Sequence, residues 1–286
     1  MKRLLLTALF LPAVVSCSNV TVVGSRPAPA PKVVKRAPVL TQHYAVPVLM
    51  YHRIDNLTPQ ESRNELLRDL TVSPQDFEQQ VSYLAANGFT FLTVDQVQNA
   101  LLSGSPLPEK AVAISMDDGY KDNFEKAFPI LKKYNACATI FLVTSTIGTP
   151  KHLTWPDIDT MHTQSVGYGS HTVSHLDLTT LPRPRLDYEL CESKRIVESH
   201  FNQQIGSIAY PSGEWNDLVV ERTRSAGYLS GWKKGGGPVE PGNDPLLLPR
   251  VRVRGVSTME DFQRMVWSGV YTIALREKHH RSAYIS

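Results

Sequence analysis

The sequence predicts an α/β fold, a distorted (β/α)7 barrel formed by one domain, and three observations predict it. Short apolar runs rich in β-branched residues alternate with helical patterns along most of the chain, the signature of βαβ units and a parallel sheet. Seven or so such units follow one another with no obvious sheet edge, which favours closure over an open doubly wound sheet. No GxGxxG or P-loop follows any of the runs, which weakens nucleotide-binding readings.

VPVLMY reads as the first strand and ends at His52. After a polar loop, Ser73 is placed as an N-cap, with Pro74 at the first helical position and Asp76 completing a capping box. Phe77, Val81 and Leu84 follow at helical spacing, and Gly88 stops that helix. FTFLT is a short strand, and Thr93 with Gln96 caps a helix that Gly104 closes. Lys110–Tyr120, KAVAISMDDGY, is the central strand running into two adjacent carboxylates and a glycine. Neighbouring strand residues point to opposite faces, so Asp117 and Asp118 share one site only if the backbone bends there. A helix over 123–134 carries Pro129, which predicts a kink or restart. ATIFLV, SVGYG, IGSIAY, GYLSGW and LPRVRVRG are the remaining strands, with helices expected over 155–162, 185–201, 216–226 and near 258–267.

The chain has 286 residues, 42% hydrophobic and 20% charged, an ordinary globular composition with enough apolar side chains for a sizeable core. A net charge of +3, with scattered basic residues apart from the tail REKHHR, argues against nucleic acid. Lys2 and Arg3 precede LLLTALFLPAVV, a run too short for a membrane span. VVSC then resembles the lipobox of bacterial lipoprotein signal peptides, with Cys17 as the lipidated residue; a plain secretory signal is the alternative. Ser18 after that cysteine resembles outer-membrane sorting in a two-membrane host. The expected organisation is a signal peptide over 1–17, a Pro-rich tether over 18–45, one domain over 46–270 and a basic tail over 271–286. The expected location is the cell envelope, anchored to a membrane through the N-terminus. Cys137 and Cys191 are read as two buried free thiols, although an oxidising compartment allows a disulfide.

In parallel barrels, sites form where strands end and βα loops begin. His52, Asp117 with Asp118, Ser170 with His171 and His175, and Tyr210-Pro211-Ser212-Gly213 all stand at such points, on one rim. The HxxxH pair His171 and His175 puts two imidazoles within reach of one cation. A carboxylate from another strand would complete two histidines and one acid, with positions open for water and substrate. The plainer alternative is that His171 packs the loop and His175 is exposed.

MDDG, SHTVSH and YPSG, with VPVLMYHRI, FPILKKYNACATIFL and the LTW before the histidine motif, resemble the polysaccharide deacetylases (NodB-homology domain, carbohydrate esterase family 4) over nearly all of 45–268. The resemblance implies a (β/α)7 barrel and metal-dependent removal of N-acetyl groups from an acetylated cell-surface polysaccharide, an N-acetylglucosamine polymer above others. It implies Asp118, His171 and His175 as ligands, most often of Zn2+, with Co2+, Ni2+ or Mn2+ in relatives, and Asp117 as general base. It also implies the Ser212 N–H, after Pro211, as an oxyanion donor. Tyr210 and Trp155 either line a sugar groove or pack the rim.

Two departures from the family pattern stand out. Ala209 occupies the place of an arginine that orients the base, and the late Leu-x-His motif that supplies the general acid is missing, with LLLPRVRVRG in its region. His52 is the expected substitute acid and His152 the second choice; an ordinary hydrogen-bonded loop histidine is the alternative for His52. A catalytically silent carbohydrate-binding lipoprotein and an O-acetyl (xylan-type) esterase are the competing functions. An iron oxygenase fits poorly because helix and strand alternate. Adjacent carboxylates also hardly flank a glycosidic bond at the separation a glycosidase needs.

Overall fold

The computed structural model describes residues 40–41 and 44–267. The lipobox with Cys17, most of the tether and the basic tail lie outside the described residues. Leu40–Thr41 pair antiparallel with Leu107–Pro108, and Tyr44 and Ala45 are buried, so ordered chain begins before residue 46.

Eight parallel strands form the sheet: β1 Val48–Tyr51, β2 Thr90–Leu92, β3 Ala111–Met116, β4 Ala138–Leu142, β5 Val166–Ser170, β6 Ser207–Ala209, β7 Ser230–Trp232 and β8 Val251–Arg252. Seven run in the order β7-β6-β5-β4-β3-β1-β8, and β2 pairs beside β3 at Ala111–Ala113. A parallel bridge from Trp232 to Leu248, just ahead of β8, joins the two ends of that order. This is the predicted distorted (β/α)7 barrel. The distortion is visible where β6 meets β5 through one residue pair, Ile208 with Ser170.

The helices are α1 Glu65–Leu70, α2 Pro74–Ala86, α3 Val94–Ser103, α4 Phe128–Lys133, α5 Trp155–His162, α6 Arg183–Phe201 and α7 Asp217–Ser225, with a further helical stretch over 259–267. Their starts follow local chemistry. Ser73 Oγ accepts from the Asp76 N–H, and the Thr93–Gln96 capping box forms in both directions. Gly104 ends α3 at φ 66°, a left-handed position that glycine adopts without strain. Pro129 does mark a restart, because a π-helical turn over Asn123–Ala127 gives way to α4 there. Helix α1 stands where the sequence predicts a polar loop, because six residues with no buried side chain leave no periodic signal.

The strand period of two sorts side chains into two cores. Leu49, Tyr51, Val112, Ile114, Met116, Ile140 and Leu142 face the helices. Val48, Ala113, Phe141, Ala209, Trp232 and Leu248 fill the barrel. Full burial of each large side chain such as Phe141 or Trp232 contributes about 1.5–3 kcal/mol. Gly169 makes the filling possible, since a Cβ there would lie 2.6 Å from the Phe141 ring. Cys137 is half-buried, with burial pushing its thiol up to about 11, and Cys191 is exposed on α6. Both are free, but the expectation of two buried thiols fails at Cys191, which falls on the outer side of its helix.

Candidate active site

The inward register of the strands, continued past their C-terminal ends, delivers the site. Met50 and His52 follow Val48; Ser115 and Asp117 follow Ala113; Arg250 and Arg252 follow Leu248. Asp118 is out of register and would point away from the barrel. Its backbone instead turns left-handed at φ 71°, followed by Gly119 at φ 71°, and this bend brings the second carboxylate to the same cleft. The predicted bend is present, and it is carried by Asp118 as much as by the glycine.

Asp118 Oδ1 lies 3.5 Å from His171 Nε2 and 3.4 Å from His175 Nε2. One donor atom from each of the three residues falls within 4.8 Å of the others. His171 is buried, and its Nδ1 lies 2.8 Å from the Ala209 carbonyl. A carbonyl only accepts, so Nδ1 carries the proton and the Nε2 lone pair faces Asp118. Burial holds the His171 pKa down against the pull of Asp117 and Asp118, which keeps it in the neutral form that ligates. Two imidazole nitrogens and one carboxylate oxygen, converging beside an open cleft, fit a divalent cation.

Asp117 is 2% exposed and differs sharply from its neighbour. Arg250 grips it with both arms, Nη1 to Oδ1 at 2.6 Å and Nη2 to Oδ2 at 2.8 Å. Burial alone would raise the Asp117 pKa, but the Arg250 guanidinium, helped by His171, overrides it and holds the carboxyl well below the usual range. Arg250 is itself buried, rests 5.3 Å over the Phe141 ring and touches Ser115 Oγ. The guanidinium beside Asp117 is thus that of Arg250, while Ala209 offers no charge. This arginine escapes a reading of local motifs because it stands just ahead of β8, far in sequence from the YPSG segment. The alternation Arg250, Arg252, Arg254 was its visible signal.

A cleft of about 450 Å³ opens over these groups, lined among others by His52, Tyr120, His152, Ser212, Lys234 and Arg252. The His52 carbonyl accepts from the Asn123 side chain at 2.9 Å, and burial lowers the imidazole's pKa while Asp117 and Asp118 oppose it. His152 also lines the cleft, with its ring stacked on Tyr120 at 5.2 Å. Ser212 adopts φ 57°, and its N–H has no protein partner among the described residues. Pro211 is buried beneath that turn.

Two expected groove residues are elsewhere. Tyr210 is fully buried and donates to the Leu246 carbonyl at 2.9 Å, in space left by Gly231. Trp155 stacks on His200 at 3.9 Å, outside the cleft. Their aromatic character was real but is used for packing. Leu66 and Leu70 of the unforeseen α1 supply cleft wall instead.

A polysaccharide deacetylase family profile matches residues 104–231. The polysaccharide deacetylase homologue YxkH of Bacillus subtilis (strain 168) is 34% identical over 208 residues, covering 73% of this chain and 71% of its own. The chain belongs to the polysaccharide deacetylases. The Streptococcus pyogenes deacetylase PplD, solved in complex with acetate, superposes with a TM-score of 0.73 at 31% identity, over 80% of this chain and 99% of its own. The poly-β-1,6-N-acetyl-D-glucosamine N-deacetylase of Staphylococcus epidermidis is 27% identical over 228 residues, covering 72% of this deacetylase and 78% of its own length.

Proposed function

We propose that this deacetylase hydrolyses N-acetyl groups on an N-acetylglucosamine polymer of the cell envelope, with Asp118, His171 and His175 holding a divalent cation, zinc above others. The observation that supports this most is the division of labour between adjacent carboxylates, one facing two imidazoles and one clamped by a buried arginine. Such a cation polarises an acetamide carbonyl and lowers the pKa of a nearby water. Asp117, kept ionised and oriented by Arg250, accepts the proton from that water. The unpartnered Ser212 N–H donates to the carbonyl oxygen as it gains negative charge. His52 delivers a proton to the departing amine, its imidazolium favoured by Asp117 and Asp118 against the effect of burial.

Two features support an enzyme over a silent binding protein: Arg250 stands where the family arginine is lacking, and His52 lines the cleft where a late histidine is lacking. Lipidation at Cys17 would hold the domain at a membrane beside a polymer too large to enter the cell. The test is acetate release from β-1,6- and β-1,4-linked N-acetylglucosamine oligomers and from acetylated xylose oligomers, with metal and after chelation. Turnover that survives chelation, or is unchanged in His52→Gln, overturns the mechanism, and preference for the xylose esters overturns the substrate class.

A further inference from the structure

We infer that Glu189, with Arg185, is a positioning device for the histidine pair, a role that rests on the metal site proposed above. The loop between the two histidines is held in a costly shape. Thr172 stands at φ 68° and His175 at φ 54°, both left-handed and neither a glycine. Each backbone N–H from 172 to 175 is consumed by a side-chain oxygen. Thr172 N–H donates to Ser170 Oγ at 3.1 Å, and His175 N–H donates to Thr172 Oγ1 at 3.0 Å. Between them, Val173 and Ser174 both donate to one oxygen, Glu189 Oε2, at 2.9 and 2.8 Å. The loop is thus a concave nest of N–H groups closed around an anion, and the anion is a carboxylate from α6.

Glu189 is wholly buried, a costly place for a charge. Its Oε1 lies 2.7 Å from Arg185 Nη2, close enough for an ion pair although too poorly aligned for a hydrogen bond. Arg185 also reaches Ser174 Oγ at 3.3 Å. One turn further along α6, Ser193 Oγ meets Ser170 Oγ at 2.8 Å, so the same helix face holds both ends of the loop. Glu189, Arg185, Ser170 and Ser193 stand behind the cleft wall, to which only Ser174 of this group contributes. What they fix is the direction in which His175, the more exposed of the two histidines, presents Nε2. A neutral amide in place of Glu189 would either keep both loop N–H bonds with its NH2 turned against Arg185, or flip and lose both.

The experiment measures zinc affinity by competition with a chromophoric chelator and records the absorption spectrum of the cobalt-loaded protein, in full-length wild type, Glu189→Gln, Arg185→Met and the double variant. Circular dichroism confirms folding of each. Glu189→Gln should weaken zinc binding roughly 10- to 100-fold and shift the cobalt bands, the range seen when outer supports of metal ligands are lost. Its turnover at saturating metal should fall through kcat with KM unchanged. Arg185→Met alone should weaken binding by a few-fold, and adding it to Glu189→Gln should restore part of the affinity by removing the amide–guanidinium clash. A folded Glu189→Gln with wild-type zinc affinity and an unchanged cobalt spectrum overturns the inference alone. Wild type that binds neither ion overturns it together with the metal site.

Discussion

The two ends of the barrel bury similar polar groups to opposite effect. At the N-terminal end, Ser207 and Ser230 open β6 and β7 and both donate to Gln98 of α3; Ser207 also reaches Asp95, and the Trp232 indole donates to Ser230 at 2.9 Å. These groups satisfy one another and close the barrel floor. At the C-terminal end, Asp118, His171 and His175 point their free valences at one another across a cleft. A closed network adds stability and uniqueness, whereas unspent valences held in place by an outer shell are what a reaction uses.

The comparison breaks most visibly at Asp117. Asp117→Asn should lower kcat on N-acetylglucosamine oligomers by about 10²–10⁴-fold, the range for loss of a general base, with zinc content retained. A variant that keeps more than a tenth of wild-type turnover would move the base elsewhere.

Arg250→Met tests the same end through stability. In the wild type the folded-state pKa of Asp117 is below the free value of 3.8, so its stabilising share is full above about pH 4 and is lost as pH falls through the lowered value. Without Arg250, burial loses its main counterweight and the carboxylate is stranded, at a cost of about 3–5 kcal/mol near neutrality. That deficit should shrink on acidification as Asp117 takes up a proton. Urea midpoints at pH 7 and pH 4 measure it, and a deficit independent of pH would count against the pairing.

At the floor, stability falls without loss of turnover. Ser230→Ala leaves the Trp232 indole N–H without its acceptor and should cost about 1–3 kcal/mol of stability, with kcat and KM unchanged. The smallest effect belongs to Trp155→Ala. It loses stacking on His200, about 0.5–1.5 kcal/mol beyond its buried area, and leaves KM for the oligomers unaltered. A rise in KM there would return Trp155 to the sugar groove.

Much of the barrel and the core of the site is legible in the chain because both rest on local patterns. Period-two strands and period-3.6 helices predict the alternation. His52, Asp117 and His171 are the first residues after β1, β3 and β5, in the inward register of Val48, Ala113 and Gly169, and that predicts where they stand. The HxxxH spacing and the Asp-Asp-Gly needed only a bend to meet, and a short loop supplies it. Tyr210 and Trp155 leave groove and packing both open in the sequence, because an aromatic side chain carries the same local signal whether it stacks on a ligand or on the protein. The partner of Asp117 lies 133 positions away in sequence, just ahead of a strand that comes beside β1 only when the barrel closes. Glu189 reads locally as one more polar residue of a helix, and its binding of two loop N–H groups exists only after α6 packs on β5. By itself the sequence determined which groups could do chemistry and on which rim they stand. Closure of the barrel decided which of them are clamped, which are left facing the cleft and which merely pack, because charge pairing and burial depend on neighbours that the chain order does not bring together.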